Sequence, residues 1–444
     1  MAKKKQIELT IEEKLKNTLV PKEEQPYKIP NNWCWIRLEN IAEWGSGGTP
    51  SRKRKEYYNG IIPWIKTGEL NNGYIFNSEE KITELGLKNS SAKLYPINTV
   101  IIAMYGATIG KVGILSIEAT TNQACACAIV YKNILFKYVF HYLIYQKEAF
   151  INKSKGGAQP NLSQEIIKKH EIPLPPIKEQ QRIVNIIESL FAKLDRAKEL
   201  IENTLAQFEQ NKMAILHKAF TGELTAKWRK ENNINEKNFF NKVKLKNVIK
   251  LISGRDVSVS LCNDKSIGIP YILGASNIKD NKFFIERWIE NPVVVSEKND
   301  ILLSVKGTIG KLYLQKEEKI NISRQIMALR ALNELNTHYL YYFLLRECER
   351  LKFEGNGLIP GISRKDILDL NILLPTLEEQ QEIVNILDNL LAKYNKIKNL
   401  EQQLEKIELL KKAILAKVFR GELGTNNPDE ESAENLLKEI LAEK

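Results

Sequence analysis

The sequence places few residues where catalysis would need them. Gly106–Val112 resembles a phosphate-binding loop, but three residues instead of four separate its glycines, and Val112 stands where Ser or Thr would hold magnesium. The matching run later in the chain fails in the same way at Leu312. The chain has four scattered histidines, none with Cys, Asp or Glu at ligand spacing: His141, His170, His217 and His338. We therefore expect neither catalytic residues nor a metal site.

The five cysteines form neither a disulfide framework nor a zinc pattern. Cys125 and Cys127 would point to the same side of a strand, but no second pair completes four ligands. We expect buried structural thiols.

What remains is chemistry that suits binding. Four cations stand together at Arg52–Lys55, a run typical of a solvated face as often as of a phosphate contact. Thr-Ile-Gly-Lys recurs at 108–111 and 308–311, which indicates either a shared hairpin geometry or a shared phosphate clamp. Asn, Gln and Arg in loops after strands have the forked donors that base edges require. The candidate DNA-binding residues are Arg52, Lys53, Arg54, Lys66, Thr67, Thr108, Lys111, Asn122, Gln123, Gln159, Asn161, Arg255, Asn277, Lys306, Thr308, Lys311, Arg324, Gln325 and Arg364.

Composition agrees with a polyanionic partner. The 444 residues are 43% hydrophobic and 27% charged, as in globular proteins, with a net charge of +12. Residues 424–444 carry −4, so the rest of the chain is more basic still. The basic start has no apolar stretch behind it, and no apolar run approaches the ~20 residues that cross a bilayer. We expect a cytoplasmic protein without a membrane segment.

The chain repeats itself with an offset of about 200 residues. LPPIKEQQRIVNIIESLFAK at 174–193 matches LPTLEEQQEIVNILDNLLAK at 374–393. Gly222-Glu223-Leu224 matches Gly421-Glu422-Leu423 at an offset of 199, which places a one-residue loss near position 398. VIIAMYGATIGK at 100–111 aligns with DILLSVKGTIGK at 300–311. The unit is a variable body followed by a well-matched helical segment.

Each matched segment predicts a long amphipathic helix. Apolar residues from Ile183 to Ile215, and again from Ile383 to Ile414, alternate mostly three and four residues apart, as in a coiled-coil seam. Prolines precede both helices and Gly222 and Gly421 follow them. About 40 residues give ~60 Å of helix. We expect the two helices to pair with each other.

The bodies consist of short β-branched and aromatic runs between Gly, Asn and Ser turns, which predicts strands. Each body ends with an aromatic-rich helix, at 136–144 and 337–345. We expect these aromatic residues in the core rather than as platforms for bases. The predicted fold class is α+β, with two globular domains alternating with two long helices that pair as an antiparallel coiled coil.

This duplicated architecture, with LPxxxEQQxIVxIL and GEL marking the helices, closely resembles the specificity subunit of type I restriction–modification systems. The resemblance implies two target-recognition domains, each reading one half of a split double-stranded DNA sequence. It implies a helical spacer that binds methyltransferase subunits, two of them, and through the assembly the restriction subunits. S-adenosylmethionine, ATP and magnesium would belong to those partners, and this chain would bind no cofactor.

The resemblance carries over to residues only in the helical segments. Those residues, with coil or partner roles, are Glu179, Gln180, Gln181, Gly222, Glu223, Leu224, Glu379, Gln380, Gln381, Gly421, Glu422 and Leu423. The segments run as an N-terminal stretch 1–29, a recognition domain 30–175, a spacer 176–224, a linker 225–242, a recognition domain 243–375, a spacer 376–423 and an acidic tail 424–444. The tail has no counterpart in the first repeat.

Two rival functions come from other classes. A fused nuclease or methyltransferase is opposed by the missing motifs, and activity of the purified chain alone would reveal it. A coiled-coil scaffold without a DNA role is opposed by the basic bodies, and a salt-dependent gel shift would separate it from a DNA reader.

Overall fold

The computed structural model describes residues 9–154, 161–234, 241–279, 282–354, 361–397 and 399–443. The chain divides into two compact units, and neither unit is a continuous stretch of one repeat. Unit 1 contains residues 1–199 together with 403–444, and unit 2 contains residues 200–402. Each unit therefore combines one body with the start of the helix that follows it and the end of the other repeat's helix. The segment boundaries proposed from the sequence stay predictions.

The first half of the chain contains short helices, short strands and one long helix. Its helices are α1 (Ile11–Thr18), α2 (Glu84–Lys88), α3 (Phe136–Tyr145), α4 (Lys147–Lys153), α5 (Gln164–Lys168) and α6 (Ile177–Ala219). Its strands are β1 (Cys34–Arg37), β2 (Ala42–Ser46), β3 (Tyr58–Ile65), β4 (Gly73–Ile75), β5 (Glu80–Ile82), β6 (Val100–Ala103), β7 (Val112–Leu115), β8 (Thr120–Thr121), β9 (Cys125–Val130) and β10 (Glu171–Leu174).

The second half follows a similar order, with more short strands and with one helix, α8, where the first half has α3 and α4. Its helices are α7 (Ala226–Glu231), α8 (Thr337–Glu354), α9 (Arg364–Leu368), α10 (Leu377–Ile397), α11 (Asn399–Phe419) and α12 (Ala433–Glu443). Its strands are β11 (Asn241–Lys244), β12 (Ile249–Ser253), β13 (Cys262–Asn263), β14 (Ile269–Ile272), β15 (Ile278–Lys279), β16 (Lys282–Phe283), β17 (Trp288–Ile289), β18 (Val295–Glu297), β19 (Ile301–Ser304), β20 (Leu312–Leu314), β21 (Lys319–Ile322), β22 (Ile326–Ala331) and β23 (Asn371–Leu374). The predicted α+β class, with bodies alternating with long helices, is confirmed.

In unit 1 the central sheet is buried on both faces. Strands β2, β9, β6, β7 and β4 form it in that order, and β5, β3 and β8 form a smaller sheet. Because side chains alternate along a strand, Val100 and Ile102 of β6 pack on the helical side, whereas Ile101 and Ala103 pack on the other side. Cys125 and Cys127 lie in this second core, and burial raises the pKa of the Cys127 thiol to about 12. The expectation of buried structural thiols is confirmed for this pair.

Unit 2 repeats four strands of the central sheet with the same pairing register. Strands β12, β22, β19 and β20 form it, beside a sheet of β13, β17, β14, β21 and β18. In unit 1, Val100 faces Ala128, and in unit 2, Ile301 faces Leu329. Strand residues thus correspond at an offset of 201, not at the 200 expected from the sequence match. The hairpin that follows β19 is one residue shorter than the hairpin that follows β6.

The aromatic helices lie in the core, as predicted. Tyr138 of α3 and Tyr339 of α8 are fully buried. The hydroxyl of Tyr138 donates to the carbonyl of Pro173 at 2.6 Å, and that of Tyr339 to the carbonyl of Leu373 at 2.8 Å. Each ring therefore joins the helix to the strand, β10 or β23, that precedes a long helix.

The long helices end close to their predicted limits and run antiparallel. The helix predicted at 176–224 is α6, and the one predicted at 376–423 comprises α10 and α11; position 398, near the expected residue loss, lies outside the described residues. In unit 1, Asp195 and Lys198 of α6 pair with Lys411 and Glu408 of α11, at 2.5 and 3.1 Å. In unit 2, the end of α6 shares a core with Ile383, Val384 and Leu387 of α10.

The acidic tail folds into unit 1. Its helix α12 buries Ala433, Leu437, Ile440 and Leu441, which recur at helical spacing, in the core that also contains Leu15 of α1. Among the helices that the structure describes, none is both long and apolar enough to cross a membrane.

Candidate nucleic-acid interface

In unit 1, several strand ends and loops meet at one edge of the central sheet. The amides of Gly47 and Gly48, which follow β2, donate to the carbonyls of Cys125 and Thr121 at 3.2 and 2.8 Å. The amide of Met104, which follows β6, donates to the carbonyl of Ala124 at 2.8 Å, and its own carbonyl accepts from Leu162 at 2.9 Å. The amide of Asn122 donates to the carbonyl of Ile65 at 2.9 Å, which adds the end of β3. We call this set of loops the loop edge of unit 1.

Unit 2 has the same loop edge, built by the equivalent hydrogen bonds. The backbone amides of Gly254 and Arg255 donate to the carbonyls of Ile326 and Ile322, at 3.1 and 3.0 Å. Three further hydrogen bonds run from backbone amide to carbonyl: from Val305 to Gln325 at 2.8 Å, from Ile362 to Val305 at 2.9 Å and from Ser323 to Ile272 at 3.1 Å. Two bodies with different side chains thus share one backbone frame for their loops.

The basic run of unit 1 is partly engaged within the protein. Arg52 lies over the rings of Tyr58 and Trp64, at 4.5 and 4.9 Å, and its guanidinium pairs with Glu80 at 2.6 Å. Arg54 pairs with Glu56 at 3.3 Å. Arg52 therefore anchors the loop while it remains half exposed. Within the described residues, exposed Lys53 has no ion pair and is available to a phosphate.

Lys66 lies at the same edge, between two carboxylates. Its ammonium group pairs with Glu79 at 2.9 Å and Glu80 at 3.1 Å. The hydrogen bond to Glu79, followed by that to Glu80, raises the pKa of Lys66, and the hydrogen bond from Arg52 lowers the pKa of Glu80. A phosphate that contacted Lys66 would compete with these carboxylates. Thr67 begins a short 3-10 turn beside it.

The Thr-Ile-Gly-Lys turns use many of their polar groups internally. The amides of Gly110 and Lys111 donate to the carbonyls of Ala103 and Thr108, and the Thr108 hydroxyl donates to Tyr105 at 3.0 Å. In unit 2, the Ser304 hydroxyl donates to the Thr308 carbonyl and accepts from the Lys311 amide, both at 2.8 Å. The shared element is a hairpin geometry. A phosphate contact through the side chains of Lys111, Thr308 or Lys311 stays a prediction.

The remaining candidates divide into exposed and engaged residues. Gln123, Asn161, Arg255, Lys306, Arg324, Gln325 and Arg364 are exposed, and Asn122 is half-buried. Arg364 donates to the Ser253 hydroxyl at 2.7 Å, which places it against the end of β12. Gln159 lies outside the described residues.

Asn277 differs from its prediction. Its side chain is fully buried, its amide oxygen accepts from the amides of Leu273 and Gly274 at 3.0 and 3.3 Å, and its amide nitrogen donates to the carbonyl of Phe284 at 3.0 Å. This amide closes the turn after β14 and is not available to a base edge.

The Glu-Gln-Gln motif lies inside the units. Glu179, Gln180, Glu379 and Gln380 are fully buried. The Gln180 amide donates to the carbonyl of Pro175 at 2.9 Å and accepts from the Leu135 amide at 3.0 Å, so it joins α6 to the turn before α3. Gln380 does the same with Pro375 and Asn336, at 2.9 and 2.7 Å. These residues position the spacer helices on the bodies, and their predicted partner role stays a prediction.

Each buried glutamate accepts a hydrogen bond from a threonine that follows the long helix of the other repeat. Glu179 accepts hydrogen bonds from Arg182 at 2.8 Å and from the Thr425 hydroxyl at 2.5 Å. Glu379 accepts from Arg229 at 2.6 Å and from the Thr225 hydroxyl. Thr225 follows Gly-Glu-Leu directly, whereas Thr425 follows it after the extra Gly424. The start of the tail thus corresponds to residues after the first Gly-Glu-Leu, contrary to expectation.

Sequence reasoning missed several of these residues. Thr225 and Thr425 were detectable, because both follow the repeated Gly-Glu-Leu within two residues. Arg229 had no such signal, since the corresponding cation in unit 1 is Arg182 on α6 itself. Among the described residues, no three His, Cys, Asp or Glu side chains form a group that could hold a metal ion.

The chain belongs to the family of type I restriction modification DNA specificity domains, whose model matches residues 30–207 and 238–409. The MjaIX specificity subunit of Methanocaldococcus jannaschii is 26% identical over 440 residues, 89% of this chain and 94% of that protein. The EcoR124I/EcoR124II specificity subunit of Escherichia coli is 34% identical over 160 residues, 35% of this chain and 40% of that protein.

A solved structure supports the fold. A chain from work on complex assembly and conformational transition of the type I R-M system has a TM-score of 0.73 and 23% identity, covering 90% of this chain and 100% of that chain. Family membership assigns this chain a role in DNA sequence recognition.

Proposed function

We propose that the chain reads a bipartite, asymmetric DNA target, with each loop edge reading one half-site. The single observation that carries this proposal is the shared backbone frame of the two loop edges, which present different side chains at equivalent positions. One frame places reading residues in the same way against DNA, and different side chains require different bases. An asymmetric target follows because the two bodies differ.

The spacer helices and the assembly complete the proposal. Half-site spacing in DNA-binding proteins follows protein geometry, and α6 with α10 and α11 is the element that could set it here. The chain directs two methyltransferase subunits, and through the assembly the restriction subunits, to the target. S-adenosylmethionine, ATP and magnesium are bound by those partners. This part of the proposal rests on the family, in which MjaIX and EcoR124I are named as restriction-enzyme specificity subunits.

A domain exchange tests the division into half-sites. Residues 243–375 are replaced with the equivalent body of a relative, and the methylome of a host that also carries the cognate methyltransferase subunits is sequenced. We expect one half of the methylated motif to change while the other half and the gap remain. A change in both halves would contradict independent reading by the two bodies.

The purified chain alone tests the non-catalytic role. We expect it to bind DNA with an affinity that falls steeply as salt is raised, because phosphate contacts release counterions. We expect neither methylation nor cleavage from the chain alone, and methylation once its methyltransferase subunit is added. Turnover by the single chain, with contaminants excluded, would favour a fused enzyme instead.

A further inference from the structure

The two loop edges each carry an exposed side-chain pair at the same position. Gly48 and Arg255 make equivalent backbone hydrogen bonds, which aligns Thr49 with Asp256. The turn residues that follow β8 and β21 align in the same way, so Gln123 corresponds to Arg324. In unit 1 the Thr49 hydroxyl donates to the Gln123 side-chain oxygen. In unit 2 Arg324 pairs with Asp256 at 2.7 Å. The position of the pair is shared, and its chemistry differs.

Both pairs lie where the backbone of one loop packs directly against the backbone of the neighbouring turn. A Cβ on Gly47 would lie 2.2 Å from the carbonyl oxygen of Asn122, and one on Gly254 would lie 2.1 Å from that of Ser323. This close approach keeps the loop after β2 or β12 beside the turn that bears Gln123 or Arg324. The pair therefore stands on rigid strand ends rather than on a long loop.

Each pair leaves a forked group directed to solvent. The closest contact between the Arg324 guanidinium and Asp256 is made by Nε, at 2.7 Å, and the Arg324 backbone amide also donates to this carboxylate, at 3.1 Å. Within the described residues, the two terminal nitrogens of Arg324 donate no hydrogen bond. Those two donors match the O6 and N7 acceptors of guanine. Gln123 accepts one hydrogen bond on its oxygen, which has a second lone pair, and its amide nitrogen has no partner in the described chain. A free acceptor beside a free donor matches N6 and N7 of adenine.

We propose that Gln123 and Arg324 are equivalent base-reading residues, one in each unit, with Gln123 specifying an adenine and Arg324 a guanine. Thr49 and Asp256 are positioning residues that fix the orientation of the fork. The proposal rests on the proposed function, and it assigns different bases to one structural position, as an asymmetric target requires.

The test is methylome sequencing of hosts that carry the cognate methyltransferase subunits and a variant chain. Arg324→Met keeps the length of the side chain and removes both terminal donors. We expect one G·C pair in a single half-site to become degenerate, with discrimination reduced on the order of 10- to 100-fold. Gln123→Leu should relax one A·T pair in the other half-site. The double variant Asp256→Thr with Arg324→Gln transfers the unit 1 pair to unit 2 and should convert that guanine to adenine.

Lys306→Gln is the matched control, because Lys306 is an exposed lysine of the unit 2 loop edge without an ion pair in the described residues. It should leave the motif unchanged and weaken binding to all sequences alike. An unchanged motif in Arg324→Met and in the double variant, at retained or uniformly reduced methylation, would overturn the inference. A wild-type chain that directs no methylation to a bipartite motif would instead contradict the proposed function.

Discussion

At the scale of single residues, the main feature is a buried glutamate in each unit. Glu379 is fully buried, and its carboxylate meets the guanidinium of Arg229, whose side chain is 8% exposed. Removing charges from water is costly and is offset only where the partner and further hydrogen bonds are in place. Thr225 supplies one such bond to Glu379, and Thr425 supplies one to Glu179. Each copy of the repeated glutamate therefore connects the start of one long helix to the segment that follows the other long helix.

Arg229→Met is expected to destabilise unit 2 strongly, because it leaves the buried Glu379 carboxylate without its cation. Losses of this kind cost about 3–5 kcal/mol of the free energy of unfolding. Calorimetric unfolding of the variant checks this value. Lys244→Met is the control: Lys244 and Asp369 form an exposed pair at 3.2 Å, and its loss should cost no more than ~1 kcal/mol.

The double variant Arg229→Met with Glu379→Gln separates charge burial from packing. Neutralising the carboxylate should recover part of the lost stability, since no uncompensated charge then remains. Equal losses in the single and the double variant would show that packing around Arg229, rather than its charge, supports unit 2.

Acid should loosen the contact between the tail and α6. Arg182 binds the Glu430 carboxylate through two hydrogen bonds, at 2.8 and 2.7 Å, and these bonds lower the pKa of Glu430 below its ordinary value. A carboxyl group with a lowered pKa contributes stability above its unfolded pKa and loses it as the pH falls through the folded value. Glu430→Gln should therefore lower the melting temperature near neutral pH, by the equivalent of up to ~1 kcal/mol. A difference that stays constant from pH 7 to pH 3 would contradict this expectation.

Residue type and spacing predicted the location of polar side chains better than their use. Gln123 and Arg324 were predicted in loops after strands, and both are exposed there. Asn277 satisfied the same rule, yet it is buried and bonded to its own turn. An amide can serve a turn or a base with the same atoms, and the sequence does not state which way it faces.

At the scale of elements, the end of α11 depends on a glycine that meets Pro30, a few residues before β1. Gly421 has a φ of +71°, and a Cβ at this position would lie 2.4 Å from Cγ of Pro30. Gly424 has a φ of +70°, but a Cβ there would meet nothing within 4 Å. The two glycines thus share a left-handed backbone conformation. They differ in whether an added side chain would collide with a neighbouring residue.

Gly421→Ala should therefore cost more stability than Gly424→Ala. The left-handed conformation alone costs an alanine about 1–2 kcal/mol, which is the loss expected at Gly424. At Gly421 the contact with Pro30 adds to this loss, because the neighbour is a rigid ring rather than a flexible side chain. Chemical denaturation of the two variants gives the difference. Equal losses would mean that Pro30 moves away from α11 at little cost in free energy.

Periodicity made the long helices predictable, and their antiparallel pairing accounts for the composition of the units. The apolar seam, the prolines before it and the glycines after it predicted α6 to within a few residues of Ile177–Ala219. The tail helix α12 also has apolar residues at helical spacing, but its acidic composition directed attention to charge. The two units exchange helix ends, as the predicted antiparallel pair implies, because such a pair brings the end of each long helix to the start of the other.

At the scale of the whole molecule, the proposed spacer role depends on the register in which the long helices pair. Lys198 of α6 pairs with Glu408 of α11, and Asp195 pairs with Lys411, so the register of this pair in unit 1 is defined. A change of length in α6 alone would leave residues of α11 without their partners. A test of the proposed spacer should therefore lengthen both helices at facing positions.

Four residues inserted after Lys198, together with four inserted before Glu408, should lengthen the spacer and keep its seam. Four residues add about 6 Å and slightly more than one turn, while DNA advances about 3.4 Å per base pair. We expect methylation of the same two half-sequences with a gap longer by one or two base pairs. Two-residue insertions at the same sites are the control, since they rotate the apolar stripe by about 200° and should abolish methylation by disrupting the coil. An unchanged gap in the four-residue variant, with methylation retained, would mean that the long helices do not set the spacing.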